Sequence, residues 1–426
     1  MTNADLRARR PAAHGAQGFA YGSQSPAADN HNERPALITT AQSKRTDGRE
    51  ADFVIVGGGV HGCAAAFELG QQGADVVLIE RGQIASGASG GPGKRGVRAN
   101  LRDPRELPLM RLAYDIWPAL DKTLGQPTGY ERIGSLELIE AATADDPSAW
   151  SQLQARIEVQ NAHGIKTELL DRQAMLQLQP GLSPLVRAAV YCPLDGVADH
   201  TATTRAYAAA ATAAGVDVRE ETEVTAVSRR GDVTLIKTTN GASFAGRKAV
   251  LILANAHAPQ ILRGSFGLRL PTWTVAPQVS VMRTVQPVPT RHLIGHVSRK
   301  LAAKAVGADQ IMLSGGRRGT WDSASDTGIP DPNVPGDNLA DGVAVFPQLE
   351  GALLVKTDAT RPESCAADDI PIIDRVPGAR DVFFATGWSG HGFAIAPAVA
   401  KFLASWVTTG SRPTELAPFG LHRLGV

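Results

Sequence analysis

The stretch that decides the fold is "FVIVGGGVHGCAAAFELGQQGADVVLIER", residues 53–81. Phe53, Val54, Ile55 and Val56 form a short apolar run rich in β-branched residues, the composition of a strand buried in a parallel sheet. Gly57, Gly59 and Gly62 follow with the spacing G-x-G-x-x-G. The first glycine permits a sharp turn, the second lets a pyrophosphate approach the backbone, and the third lets a helix lie close to the sheet. That helix starts at Val60 and His61 and points free N–H groups at the phosphates. Cys63 to Ala66 keep it slim, and Gly73 is its expected stop. Val76 to Ile79 give a second strand. Glu80, followed by Arg81, lies roughly 20 residues past the glycines, where an acid meets a ribose hydroxyl. Strand, turn, helix, strand and acid all agree on a dinucleotide site. NAD and FAD share this fingerprint, so it leaves the choice between them open.

A chain of 426 residues exceeds the usual size of one core, so two domains are expected. The net charge of +1 argues against an electrostatic claim on nucleic acid or anionic membrane. Cys63, Cys192 and Cys365 are scattered without a C-x-x-C pair; they imply no disulfide framework and no metal site, and fit a cytoplasmic protein. Residues 1–50 lack apolar periodicity and the apolar run of a secretory signal, and are expected to form a disordered tail. The window Phe383–Ala400 carries no Asp, Glu, Lys or Arg, yet Gly387, Gly390, Gly392 and Pro397 interrupt it. A glycine turn opening a buried helix explains it better than a membrane span.

Farther along, helices are expected near 108–124, in "PSAWSQLQARIEVQNAHG" and in "ATTRAYAAAATAAG". "TEVTAVSRRGDVTLIKTTNG" reads as an antiparallel meander turning at Arg230–Gly231 and Asn240–Gly241. "KAVLILANA" reads as a buried strand, and from Leu268 to Val355 strand-like pieces such as "QVSVMR", "QIMLSGG" and "GALLVK" alternate with polar connections. "DVFFATG" then gives a strand and "GFAIAPAVAKFLASWVTTG" a long, largely buried helix. The fold class expected is α/β: a discontinuous Rossmann-like domain with an inserted α+β domain dominated by a mixed sheet. The expected boundaries are 51–130, 196–262 and 356–412 for the dinucleotide domain, 131–195 and 263–355 for the substrate domain, and 413–426 for a C-terminal tail.

"VIVGGGVHGCAAAFELGQQGADVVLIERGQIASGASG" and "IPIIDRVPG…FFATGWSGHGFAIAPAVAKFLASWV" occur together, over 300 residues apart. The pair resembles the D-amino-acid-oxidase-like flavoproteins, which include sarcosine and glycine oxidases and flavin-linked proline and D-amino-acid dehydrogenases. The resemblance runs from about residue 50 onward. It implies FAD rather than NAD, and a second domain whose sheet roofs the flavin. Glu80 then takes the adenosine ribose, and Ser86, Ala88 and Ser89 serve the pyrophosphate and flavin. Val224 gives a backbone contact to adenine, and Ala254 lies in the motif where Asn255 replaces the usual glycine, a residue that tolerates positive φ. His257 replaces the usual aromatic.

Gly387, Gly390 and Gly392 crowd a strand-to-helix turn. Backbone N–H groups of His391, Gly392, Phe393 and Ala394 are candidate donors to the electron-rich edge of a flavin. The two glycine turns are expected to converge and to clasp opposite ends of that ligand. His391 is a further candidate for proton transfer. In the monomeric sarcosine oxidases a cysteine bonds the flavin; here that position is Arg361, so the FAD is expected to be non-covalent. Glycine-oxidase-like members have an Arg-Pro pair in this segment, and Arg361-Pro362 matches it. Arg361 is thus the expected clamp for a substrate carboxylate. The strand "QIMLSGGRR" offers no match for the lysine that monomeric sarcosine oxidases place over the flavin, which favours a dehydrogenase. Trp273, Trp321 and Trp388 are candidate pocket walls.

The resemblance implies oxidation of the C–N bond of a D-amino acid, N-methyl amino acid or imino acid by hydride transfer to flavin N5, giving an imine. The acceptor is oxygen or another carrier, and a homo- or hetero-oligomer is in keeping with the family. Two alternatives stay open: an FAD-binding subunit of a hetero-oligomeric amine dehydrogenase, and a flavin-dependent oxidoreductase acting on a non-amino-acid substrate.

Overall fold

The computed structural model describes residues 48–425. The expected tail therefore lies outside the described residues up to position 47, and its last residues, Arg49 and Glu50, already belong to a strand. That strand, Arg49–Val56, is central to the first of two eight-stranded sheets. Ser243–Ile252 lies parallel on one side of it and Val76–Ile79 on the other. Ala379–Thr386 runs parallel to Ser243–Ile252, and Asp217–Arg219 parallel to Val76–Ile79. Ile372–Val376 closes one edge in antiparallel pairing. The hairpin Val224–Arg230/Val233–Thr238 leans on Ser243–Ile252, with its turn where the sequence places it.

Phe53, Val54, Ile55 and Val56 are all buried, as a strand covered on both faces must be. The helices Val60–Gln71, His200–Ala213 and Gly392–Thr409 cover one face and share a core with Trp117, Tyr207 and Trp406. Gly392–Thr409 is long and apolar enough to cross a membrane, but most of it is buried in this core.

The second eight-stranded sheet is mixed. Its order runs Leu353–Asp358, Val279–Arg283, Gln310–Ser314, Ala302–Ala305, Leu293–His296, Ser135–Glu140, Val186–Cys192, Glu168–Leu170. Only Leu293–His296 and Ser135–Glu140 pair in parallel. One face packs on a core that includes Phe346 and Leu349. A four-stranded sheet joins the two halves, because Glu363–Ala366 pairs with Thr272–Pro277.

Two sequence expectations need correction. Residues 413–426 are not a loose tail where described: Thr414–Phe419 and Leu421–Leu424 form 3₁₀ turns, with Leu416, Phe419 and Leu421 buried. Arg423 also meets Asp368 at 2.9 Å. Val334–Val345, expected among polar connections, is a helix. Its Pro335 sits in the first turn, where a missing N–H costs nothing.

Candidate FAD-binding and amine-oxidation site

Arg49–Val56 and Ala379–Thr386 flank Ser243–Ile252 in parallel, so both glycine turns emerge at the same carboxyl edge of the sheet. That edge is where open α/β sheets hold ligands. The turns meet there: the His61 ring stacks on the Trp388 indole, with centroids 3.6 Å apart and planes within 6°. At this point the two turns adjoin. Each opens a helix. Neither N-cap, Gly59 or His391, closes its helix with a side chain, and neither first turn carries an acid. Two sets of free N–H groups and two positive dipole ends thus border a single cavity of about 920 Å³.

The first turn is built as its spacing implies. Gly57 has φ 114°, and its N–H donates to the Ile79 carbonyl at 2.8 Å. A Cβ on Gly62 would overlap the Gly57 carbonyl oxygen, whereas one on Gly59 would meet nothing. Val60 and His61 line the cavity beside them. Both His61 ring nitrogens are buried without a partner, and burial pushes its pKa down to about 3. Glu80 caps the turn from the second strand, accepting from Gly58 N at 2.6 Å and Gly82 N at 2.9 Å. Arg81 also lines the cavity, but its guanidinium is engaged by Asp326 at 2.6 Å, which His257 meets from the other side at 2.9 Å.

Ser86, Ala88, Ser89, Val224 and Ala254 all line the same cavity. Asn255 adopts the positive φ expected of it, 41°. Ser89 Oγ donates to Glu363 at 2.8 Å across the loop.

Several expected roles are corrected. Gly390, Gly392 and Phe393 line the cavity, but Gly387 and Ala394 do not. Gly387, at φ 71°, crosses over Ala366, and Ala394 is buried with its carbonyl accepting from Trp117 Nε1 at 2.8 Å. The His391 N–H is spent on the Trp388 carbonyl at 2.8 Å, which leaves Gly392 and Phe393 as the donors facing inward. The His391 ring faces the cavity too, but burial, with Arg102 and Arg98 close by, pushes its pKa down to about 3. A neutral imidazole so far from neutrality is a poor proton carrier. Arg361 is exposed and outside the cavity wall; its Nε donates to the Ser86 carbonyl at 2.6 Å. Asp358 accepts from Thr360 N at 2.9 Å and turns the chain, so that Pro362 and Glu363 face inward instead. Of the three tryptophans, Trp388 lines the cavity.

The opposite wall is the mixed sheet, and sequence reasoning missed its polar residues. Lys304, on the neighbouring strand, lies directly across from Met312 of the "QIMLSGG" strand. Its side chain is buried, lines the cavity and has no hydrogen bond or ion pair among the described residues. Burial, reinforced by Arg95 and Arg98, pushes its pKa down to about 7. Arg98 lines the same space. Asp195 holds the loop that carries it, accepting from Ala99 N at 2.7 Å and from Asn100 N at 3.4 Å. Tyr114 and Ser135 hydroxyls fix Asp195 in turn. The one signal available beforehand was the R-x-x-R spacing of Arg95 and Arg98 after the glycine-rich loop.

Residues 52–406 match the FAD dependent oxidoreductase (DAO) family, and the chain belongs to it. It is an FAD-dependent oxidoreductase of the group acting on CH–NH or CH–NH2 bonds. The chain is 29% identical to a glycine oxidase of Geobacillus kaustophilus over 87% of its own length and 97% of the relative's. It is 27% identical to a sarcosine oxidase subunit beta of an Arthrobacter species, over 87% and 90%. Among solved structures, an L-proline dehydrogenase from P. horikoshii superimposes with a TM-score of 0.78 at 24% identity, covering 89% of this chain and 98% of that one. At that identity the superposition shows the fold alone. The residues around the cavity fit FAD: two uncapped helix starts, an acid at the end of the second strand, and a buried His61 with both ring nitrogens free.

Proposed function

We propose that the protein oxidises the C–N bond of a small amine bearing a carboxylate: a D-amino acid, an N-methyl amino acid or an imino acid. Bound non-covalently, FAD supplies a two-electron acceptor. In this reading residues 51–130, 196–262 and 356–412 hold the cofactor. Gly57, Gly59, Val60 and Gly62 form the pyrophosphate turn, Glu80 meets the ribose, and Gly392 and Phe393 donate to the electron-rich ring edge. Residues 131–195 and 263–355 supply the substrate wall. Arg98 replaces Arg361 as the carboxylate clamp. The observation that carries this is the position of Arg98: on the cavity wall, with no carboxylate oxygen within hydrogen-bonding distance among the described residues. Its charge also reaches Glu137, Lys304 and His391. Its Nη1 donates to the Asn100 carbonyl and lies 3.7 Å from Glu137, and a guanidinium held this way on the wall still has donors to offer an anionic ligand.

Lys304 supports oxygen as the acceptor. A cationic Lys304 on this wall would stabilise the negative charge that forms as oxygen is reduced. An anaerobic screen of D-amino acids, N-methyl amino acids and cyclic imino acids tests the main reading. One of these classes is expected to bleach the yellow protein; if amines without a carboxylate bleach it and none of these does, the reading fails.

A second reading, a catalytic subunit within a larger assembly, is favoured by one observation. The edge strand Leu353–Asp358 exposes Leu353, Leu354 and Val355 by 67%, 50% and 46%. Gel filtration of the yellow protein distinguishes a monomer from an assembly. The three buried free cysteines fit a reducing, cytoplasmic setting.

A further inference from the structure

One acid on the sheet wall has no task in the reading above. Glu137 lies in Ser135–Glu140, is 4% exposed and lines the cavity. It accepts no hydrogen bond among the described residues. Arg98 pairs with it electrostatically at 3.7 Å, too long for a hydrogen bond. Directly across the parallel pair stands Gly295, and a Cβ there would overlap the Glu137 carboxylate. The carboxylate therefore lies over a position that only glycine leaves open. A buried carboxylate without a donor is costly, and what remains beside it is the ligand space.

We infer that Arg98 and Glu137 together form a mould for a zwitterion: Arg98 takes the carboxylate of an α-amino or α-(alkylamino) acid, and Glu137 takes its ammonium and then its proton. This rests on the proposed C–N oxidation and narrows its substrate class. The two side chains stand 3.7 Å apart on the wall, close enough to face both charges of an α-amino acid, whose carboxylate and ammonium share one α-carbon.

The chemistry also calls for an acceptor. An ammonium nitrogen has no lone pair to form C=N. One N–H bond must break, with its electron pair staying on nitrogen and its proton passing to a Glu137 oxygen. With that lone pair free, the C=N bond can form as the α-C–H bond breaks, and FAD, when bound, would supply the acceptor for the hydride. Other groups on the walls serve poorly. His391 and His200 are held at about 3 and about 4 by burial. Glu363 already accepts from Ser89, and Lys304 is assigned in the reading above to the oxygen step as a cation. Burial, against the pull of Arg98 and with Asp195 adding to the rise, brings Glu137 to about 7.

The test compares the FAD-loaded wild type with Glu137→Gln, which keeps the shape and removes the charge. The probes are 2-aminoisobutyrate and pivalate, equal in size and both without an α-hydrogen, followed by the change in flavin absorbance on titration. The wild type is expected to bind the zwitterion at least about tenfold more tightly than the plain carboxylate. Glu137→Gln should lose that preference with its flavin content unchanged. Glu137→Asp, with the charge kept one methylene short, should retain a weaker preference. An equal ratio in wild type and Glu137→Gln overturns the mould, as does a wild type that prefers pivalate or binds neither probe. Bleaching by amines without any zwitterion preference leaves C–N oxidation standing while the mould falls. A preference abolished in Glu137→Gln, with no amine bleaching the flavin, has the opposite meaning.

Discussion

The cavity has two walls made in different ways. The wall at the carboxyl edge of the parallel sheet is built from backbone: glycine turns, open helix starts and their N–H groups. The facing wall is built from side chains on a mixed sheet, where Glu137 and Lys304 stand out from strands that otherwise bury apolar residues against Phe346 and Leu349. Backbone can approach a ligand only where Cβ atoms are absent, so the first wall needs glycines at fixed spacing. A sheet face can present any residue at an alternating position without changing the fold. The first wall is therefore constrained by the backbone, while the second can change its chemistry without changing the fold.

The sharpest way to break the backbone wall is Gly62→Ala. The added methyl would run into the Gly57 carbonyl, which belongs to the main chain and cannot swing aside. Overpacking of this kind costs about 1–3 kcal/mol, and here it falls on the cofactor turn itself. Purified protein is expected to be colourless or insoluble. A normal flavin-to-protein ratio would mean that the turn yields more than its packing allows.

On the side-chain wall, the largest effect is expected for Lys304→Met, which places the residue of the neighbouring strand, Met312, at the cationic position. Loss of one preorganised charge-stabilising group costs about 10²–10³ in rate. Stopped-flow mixing of reduced enzyme with oxygen should show that slowing, while flavin content and reduction by substrate change little. If reoxidation is slow already in the wild type and insensitive to this change, the acceptor is a carrier other than oxygen.

The same wall should leave a mark on stability. Lys304 is held near 7, below its usual range, so between about 7 and 10 the unfolded chain binds a proton that the native protein lacks. Stability from this group is present at alkaline pH and is lost as pH falls through about 7. Glu137 is raised to about 7, so its contribution is present in acid and is lost as pH rises through that value. Thermal melts of the FAD-free protein are expected to dip near neutrality. Lys304→Met should remove the alkaline limb of that dip and Glu137→Gln the acid limb, each by up to a few kcal/mol. A flat profile in the wild type would show that water reaches both groups.

How far the sequence could be read follows from the same contrast. Gly57, Gly59, Gly62 and Glu80 were legible because each answers a backbone demand at a fixed position. Even the positive φ at Asn255 was, because few residues tolerate it. Lys304 was not: its strand reads "AAKA", a lysine among alanines, and nothing local says that its face is roofed. Glu137 in "SLELIE" looks like an ordinary polar position of an amphipathic strand. Only the pairing with Gly295 and Ser135–Glu140's place in the sheet turn it inward. Asp195 and the loop it holds depend on contacts about 60–100 residues away, which no spacing records.

Arg361 and Arg98 make the finest test, since the sequence favoured one and the cavity favours the other. Arg361 had the better local motif, an Arg-Pro pair before "IPIID", but motif distance does not fix which way a side chain leaves a turn. Here the turn at Asp358–Thr360 sends Arg361 outward onto Ser86, whereas Arg98 remains on the wall beside Glu137. Arg98→Ala should raise KM for carboxylate-bearing substrates by about 10–100-fold, the range for losing a hydrogen bond to a charged group. Arg98→Lys should recover only part of it, because an ammonium cannot bind both oxygens in a plane. Arg361→Ala should leave KM within about twofold, as expected of an exposed contact. The reverse ranking, measured in steady state with flavin content held equal, would return the clamp to Arg361 and require its loop to fold inward when substrate binds.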